Sequence, residues 1–223
     1  MTDLTALQSK QINVQIGKES INGILIDAGK EILVLFNGEQ YMYIPLFHVH
    51  QIKLNRNKDE LVDPPPSKST VTAEMDPLSY QDVLTNAKGN FLEIYVARNL
   101  SFYGYITNVL NDYIAFDSPL YKTIYIPIHH IKWLIPYTQN ITPYTLSKES
   151  LPFSKSPNNL PLLLSLENQL KKVEGKLVIF DGGMDPRKVG LLKKVENNLA
   201  EFVLATGEIV CINLLHIKSV HML

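Results

Sequence analysis

Three histidines recur in the sequence, and imidazole is the side chain best suited to bind a metal ion or to transfer a proton near neutral pH. Each follows a glycine by 25 or 26 residues, in the pairs Gly23 and His48, Gly104 and His130, and Gly190 and His216. A shared zinc ion would need all three rings about 2 Å from it. We favour the alternative, in which each histidine closes a turn before the last strand of its own module. Neither a metal site nor a cofactor is therefore predicted.

The other residues that could take part in catalysis or ligand binding also fit structural roles. Cys211 is the only cysteine, so an intrachain disulfide and a multi-cysteine metal site are excluded. It lies in an alternating apolar segment without an adjacent base, which indicates a buried thiol rather than a nucleophile. Residues 182–187 lack the P-loop spacing and indicate a turn. Because no catalytic-triad order, paired-carboxylate motif or dinucleotide fingerprint is present, we predict a protein that is not an enzyme.

Tyrosine is concentrated in the middle of the chain. Eight of 11 tyrosines lie between positions 80 and 137, and a tryptophan lies among them. Aromatic side chains with a polar tip are enriched at protein interfaces. They also stack on single-stranded bases, and ordinary strand composition is a third explanation. The candidate interface aromatics are Tyr103, Tyr105, Tyr121, Tyr125 and Trp133.

The charge balance argues against a polyelectrolyte partner. The 223 residues contain 21 Lys and Arg and 22 Asp and Glu, a net charge of −1. Nucleic-acid binders usually carry a basic surplus that neutralises phosphates, so a nucleic-acid partner is not favoured. The first residues lack the basic segment and apolar core of a signal peptide. The longest leucine-rich segment, 160–166, is far shorter than a membrane span of about 20 residues. We predict a soluble protein without membrane insertion.

Proline divides the chain into three blocks of similar length. Nine of 13 prolines fall in two stretches that are also rich in Ser, Thr, Asn and Lys, a composition typical of linkers. The predicted organisation is a first repeat over 1–55, a linker over 56–77, a second repeat over 78–135, a linker over 136–161 and a third repeat over 162–223. The glycine and histidine of each block occupy corresponding places, which indicates internal copies of one unit.

Each repeat is predicted to contain a short helix followed by about five short strands. Ile12, Val14 and Ile16 alternate with polar residues, as in a half-buried strand. The repeated glycine falls within the second strand, where glycine marks a bulge, a sharp bend or a close backbone approach. This order of elements predicts a mainly β fold. It consists of three tandem small, strongly bent five-stranded barrels of the Sm-like type, each preceded by a short helix.

The third repeat carries motifs that resemble a known family. Gly182 and Gly183 are followed by Gly190, and the repeat closes with His-Ile-Lys-Ser-Val at 216–220. The second repeat retains His-Ile-Lys at 130–132. This pattern resembles the N-terminal region of the spore coat protein B family of endospore-forming bacteria. As a threefold repeat, the resemblance extends over nearly the whole chain.

The resemblance implies a structural component of the spore coat, made in the mother-cell cytoplasm and assembled onto the forespore. Its expected partners are other spore coat proteins, further copies of itself, or both. Exposed strand edges suit such assembly, because a neighbour can add to them by backbone pairing. The alternative is an Sm-like RNA-binding or regulatory module, which would bind single strands in a salt-sensitive way. A third hypothesis, an enzyme using His129 or His130, would need a deep pocket of converging polar groups.

Overall fold

The computed structural model describes residues 4–57, 60–66, 79–97, 100–137, 144 and 161–222. Within them the fold is mainly β, as predicted, with fifteen strands and two short α-helices. The first repeat contains β1 (Gln11–Ile16), β2 (Glu19–Ala28), β3 (Ile32–Phe36), β4 (Tyr41–Pro45) and β5 (Gln51–Leu54). The second contains α1 (Tyr80–Asn86), β6 (Phe91–Ala97), β7 (Leu100–Val109), β8 (Tyr113–Ser118), β9 (Lys122–Pro127) and β10 (Trp133–Pro136). The third contains α2 (Leu166–Lys171), β11 (Leu177–Phe180), β12 (Val189–Glu196), β13 (Leu199–Leu204), β14 (Ile209–Asn213) and β15 (Val220–Met222).

The first strand of a repeat follows its hydrophobic pattern. In β1 the predicted core residues Ile12, Val14 and Ile16 are buried, and the polar residues between them are half-buried. The same alternation runs along β6. Because successive side chains point to opposite faces of a strand, a period of two places one face against the core.

Serine caps begin both helices. The Ser79 hydroxyl accepts a hydrogen bond from the Asp82 amide at 3.1 Å, and the Ser165 hydroxyl accepts one from the Asn168 amide at 3.4 Å. These bonds satisfy amide groups that have no partner within a helix. Both helices precede the first strand of their repeat, and a 3₁₀ turn at Leu4–Leu7 takes this place in the first repeat.

The chain forms two compact units, and the second repeat contributes to both. The first unit comprises residues 1–95 and 132–139, and the second comprises 96–131 and 140–223. In the first unit the strands lie in the order β6-β10-β4-β3-β2-β1-β5. In the second unit they lie in the order β14-β13-β12-β11-β15-β9-β8-β7. Within each unit, neighbouring strands are antiparallel.

The prediction of three closed barrels is wrong, because the strands form open antiparallel sheet. In the first and third repeats the first four strands lie side by side in chain order, and in all three repeats the fifth strand pairs with the first. A five-stranded barrel would close only if the fourth and fifth strands of one repeat also paired. The outer side of β4 is instead occupied by β10, and that of β9 is occupied by β15.

The predicted linkers lie largely outside the described residues. In the described part of the first linker, the Val62 carbonyl accepts a hydrogen bond from Gln11 Nε2 at 2.6 Å, and the Val62 amide donates to Gln11 Oε1 at 3.3 Å. This piece of chain therefore contacts β1. Only residues 136, 137, 144 and 161 of the second linker are described. Among the described residues, no helix combines the length and apolar character needed to cross a membrane.

Candidate assembly interface

Two strand pairings join one repeat to the next, and we call them joints. At the first joint, β10 of the second repeat pairs with β4 of the first, and Leu134 lies opposite Tyr43. Trp133 and Ile135 of the same strand are buried in the hydrophobic core of the first repeat. The joint therefore combines backbone pairing with apolar burial, and the burial is the main source of its stability.

The second joint has the same construction in the second unit. Here β15 of the third repeat pairs with β9 of the second, with Val220 opposite Tyr125 and His221 opposite Ile124. Tyr113 and Tyr125 of the second repeat lie in the core of the third. Their rings meet edge to face, with centroids 5.5 Å apart, an arrangement that aromatic pairs favour.

The register of the two joints is identical when it is counted from the repeated histidine. Leu134 and Val220 both lie four residues after the histidine of their repeat. Their partners Tyr43 and Tyr125 both lie five residues before the histidine of the preceding repeat. One rule of pairing, from the fifth strand of a repeat to the fourth strand of the repeat before it, thus describes both joints.

The repeated glycines bring the second and third strands of a repeat close together. Gly23, Gly104 and Gly190 lie in β2, β7 and β12, where a Cβ atom would overlap the carbonyl oxygen of Phe36, Asp117 and Val203, respectively. In all three strands the register to the third strand shifts between the second and fourth residues after the glycine. Such a bulge bends the strand and increases its twist. The glycine and the bulge therefore set the curvature of each repeat.

The repeated histidines end corresponding turns. His48, His130 and His216 each occupy the last position of a 3₁₀ turn between the fourth and fifth strands. The turn closes through its backbone, as in the Ile131 amide donating to the Ile128 carbonyl at 3.1 Å. No group of three His, Cys, Asp or Glu side chains able to hold a metal ion occurs in the part of the chain that the structure describes.

The imidazoles of the second repeat contact the third. His130 Nε2 lies 2.8 Å from the Leu215 carbonyl oxygen, and His129 Nε2 lies 3.2 Å from the same atom. Burial, with a smaller contribution from the neighbouring His129, lowers the pKa of His130 to about 4. The ring is therefore neutral near pH 7 and acts as a hydrogen-bonding group rather than as a cation.

The candidate aromatics separate into buried and accessible residues. Tyr125 and Trp133 are buried at the joints, so they do not belong to an outer surface. Their strands are covered by a neighbouring repeat, which the sequence pattern does not reveal. Tyr103 and Tyr105 are half-buried in β7. Tyr121 is 48% exposed, and its ring meets that of His221 with centroids 5.3 Å apart.

Asp181 is a buried carboxylate that sequence reasoning missed. One of its oxygens accepts hydrogen bonds from the amides of Lys218 at 2.6 Å and Ser219 at 3.2 Å. Lys188 and Lys218 form ion pairs with the other oxygen. A buried carboxylate persists when cations and donors surround it in this way. Through these hydrogen bonds and ion pairs, Asp181 links the end of β11 to the closing His-Ile-Lys-Ser-Val segment. Its position directly before Gly182 was the only sequence signal.

Cys211 lies on an outer edge of the sheet, so the prediction of a buried thiol is wrong. It is exposed, although its strand β14 alternates as predicted. Its counterparts Tyr43 and Tyr125 are buried because a fifth strand covers β4 and β9. In the described residues β14 pairs with β13 alone.

His221 gives the third repeat a pH-dependent stability. Burial lowers the pKa of this imidazole to about 4, and the negative charge of Asp181 opposes the shift. In the unfolded chain the His221 imidazole has a pKa near 6.5. Between that pH and about pH 4 it is therefore protonated in the unfolded chain but neutral in the folded chain. The free energy of unfolding therefore falls as the pH falls from about 6.5 to 4, by up to about 1.4 kcal/mol per pH unit from this group. Above pH 6.5 the effect is absent.

We expect the variant His221→Gln to lose part of this pH dependence. Urea unfolding of the wild type and the variant at pH 7, 6 and 5 measures it. The carboxylates titrate in both proteins, so their contribution cancels in the comparison. His130 retains its own contribution in the variant. Identical slopes in the two proteins would contradict a neutral, buried His221.

Comparison with known proteins identifies the family. A family model described as the YwrJ third domain matches residues 165–220, which span α2 and the strands β11 to β14. The protein named uncharacterized protein YwrJ from Bacillus subtilis (strain 168) is 44% identical over 228 residues. That match covers 100% of this chain and 100% of the relative. At this identity and coverage, the chain belongs to the YwrJ family.

Proposed function

We propose that the protein is a non-catalytic structural component of the bacterial spore coat that acts through protein–protein assembly. The observation that carries the proposal is the pair of joints, in which a strand of one repeat pairs with a strand of another. Strand addition is a common way for proteins to bind one another, since main-chain hydrogen bonds supply affinity and side-chain pockets supply specificity. The resemblance of the repeat to the spore coat protein B family supports the location in the coat.

The surface composition also supports an assembly role. A net charge of −1 gives little self-repulsion between copies at close range. Large apolar side chains are exposed in the third repeat, among them Leu177, Leu199 and Ile209. Exposed apolar side chains can contribute to sites that bind other proteins.

A fluorescent fusion in sporulating Bacillus subtilis, the source of the 44% identical relative, tests the proposal. We expect fluorescence around the forespore and recovery of the fusion in the coat fraction of purified spores. The fluorescent protein alone, expressed from the same promoter, is the control. A diffuse mother-cell signal, with no fusion in the coat fraction, would refute the coat role. Salt-sensitive binding of labelled single-stranded RNA by the purified protein would favour the RNA-binding alternative.

A further inference from the structure

In each unit, one end strand has a side without a partner strand among the described residues. Among the described residues, β14 pairs with β13 only, and β5 pairs with β1 only. The strand β14 is the fourth strand of its repeat, like β4 and β9. The strand β5 is the fifth strand of its repeat, like β10 and β15. The described part of the chain therefore presents one free copy of each strand type that forms a joint.

The exposure of β14 shows what a fifth strand normally covers. Cys211 is exposed, whereas its counterparts Tyr43 and Tyr125 are 0% and 2% exposed. Ile209 at the start of β14 is 52% exposed. On the free side of β5, Leu54 is 44% exposed. Both edges thus present apolar side chains to solvent.

We propose that β14 of one copy pairs antiparallel with β5 of a second copy, in the register of the two joints. In both joints, the residue four positions after the histidine of one repeat lies opposite the residue five positions before the histidine of another repeat. Applied to the free strands, this register places Ile52 opposite Cys211. The proposal rests on the assembly role above and names a partner for it, which is a second copy of the same chain.

This register brings complementary side chains together. One step along the same face, Leu54 lies opposite Ile209, so the two exposed apolar residues cover each other. The next position places Asn55 opposite Glu208, beside Arg56. Lys53 and Arg56 are cationic on the β5 side and Glu208 is anionic on the β14 side, and all three are exposed. Cross-strand apolar pairs and opposite charges both stabilise antiparallel pairing.

The contact is heterologous, since the two edges are different. Each copy retains a free β14 or β5 after binding one neighbour, so further copies can add in the same way. Edge strands that are not blocked by proline or by inward-pointing charge accept this kind of addition.

Disulfide formation between two differently tagged copies tests the register. One copy carries I52C and C211S, and the other is the wild type, whose only cysteine is Cys211. After mild oxidation we expect a mixed dimer whose peptide map contains a 52–211 disulfide. The control copy carries K53C and C211S. The cysteine side chain at position 53 faces the opposite side of the strand from position 52. We expect roughly tenfold less mixed dimer from this control, because a disulfide needs Cβ atoms about 4 Å apart.

A second pair of cysteine variants controls for a folding defect in I52C, because the Ile52 side chain is half-buried. Copies with L54C and C211S, and copies with I209C and C211S, change only exposed positions. They are expected to cross-link with each other and not with the K53C copy. Equal cross-linking of matched and control copies, or none from either pair, would overturn the proposal. The forespore experiment does not depend on self-pairing, so failure of one leaves the other interpretable.

Discussion

Replacing Gly104 with alanine is expected to lower the free energy of unfolding by about 3 kcal/mol or more, at the upper end of overpacking effects. A Cβ at this position would overlap the carbonyl oxygen and carbonyl carbon of Asp117 and approach the Cα of Ser118. All three are backbone atoms of the third strand, so no side-chain rotation relieves the overlap. The strands must separate, and the bulge that follows the glycine must change with them.

Gly207→Ala is the matched control. Its φ is +84°, and no atom lies within 4 Å of the added Cβ. This substitution therefore costs only the left-handed backbone conformation, about 1–2 kcal/mol. Urea unfolding of both variants measures the difference, and Gly23→Ala and Gly190→Ala repeat the test in the other two repeats. If Gly104→Ala costs no more than Gly207→Ala, close backbone approach is not the reason for the repeated glycine.

Replacing Trp133 with alanine is expected to cost about 3–5 kcal/mol, the usual range for removing a buried aromatic side chain. Trp133 is 8% exposed and stacks on Tyr95, with ring centroids 3.8 Å apart and planes inclined by 4°. It also packs into the core of the first repeat. The substitution therefore removes the stack and leaves a cavity at the first joint.

Two comparisons separate this effect from general loss of an aromatic ring. Trp133→Phe preserves a ring against Tyr95 and is expected to retain most of the stability. Tyr121→Ala removes a ring that is 48% exposed, and its cost should be clearly smaller. Hydrogen exchange provides a local readout, because loosening the joint should speed exchange of amides in β4 and β10 more than in β5. Uniform exchange changes across the first unit would contradict a specific role at the joint.

Local sequence patterns were enough to predict the elements of each repeat. Alternation of Ile12, Val14 and Ile16 predicted the first strand and its buried face, because side-chain direction alternates locally along any strand. The repeated glycine predicted a close approach or bend in the second strand, and the structure places a backbone carbonyl and a bulge there. The dipeptide Asn37-Gly38 is a typical turn sequence, and it lies between β3 and β4, where Gly38 has a φ of +104°. These features depend on a few neighbouring residues.

Which repeat each edge strand joins depends on the packing of the folded chain. A fourth strand that pairs within its repeat has the same alternation as one that pairs with another, since main-chain hydrogen bonds carry no side-chain signature. The closed-barrel prediction failed for this reason, and so did the expectation that Cys211 is a buried thiol. Asp181 escaped notice because its amide partners at 218 and 219 are 37 and 38 residues away. Contacts at such separations arise from folding, and no local pattern encodes them.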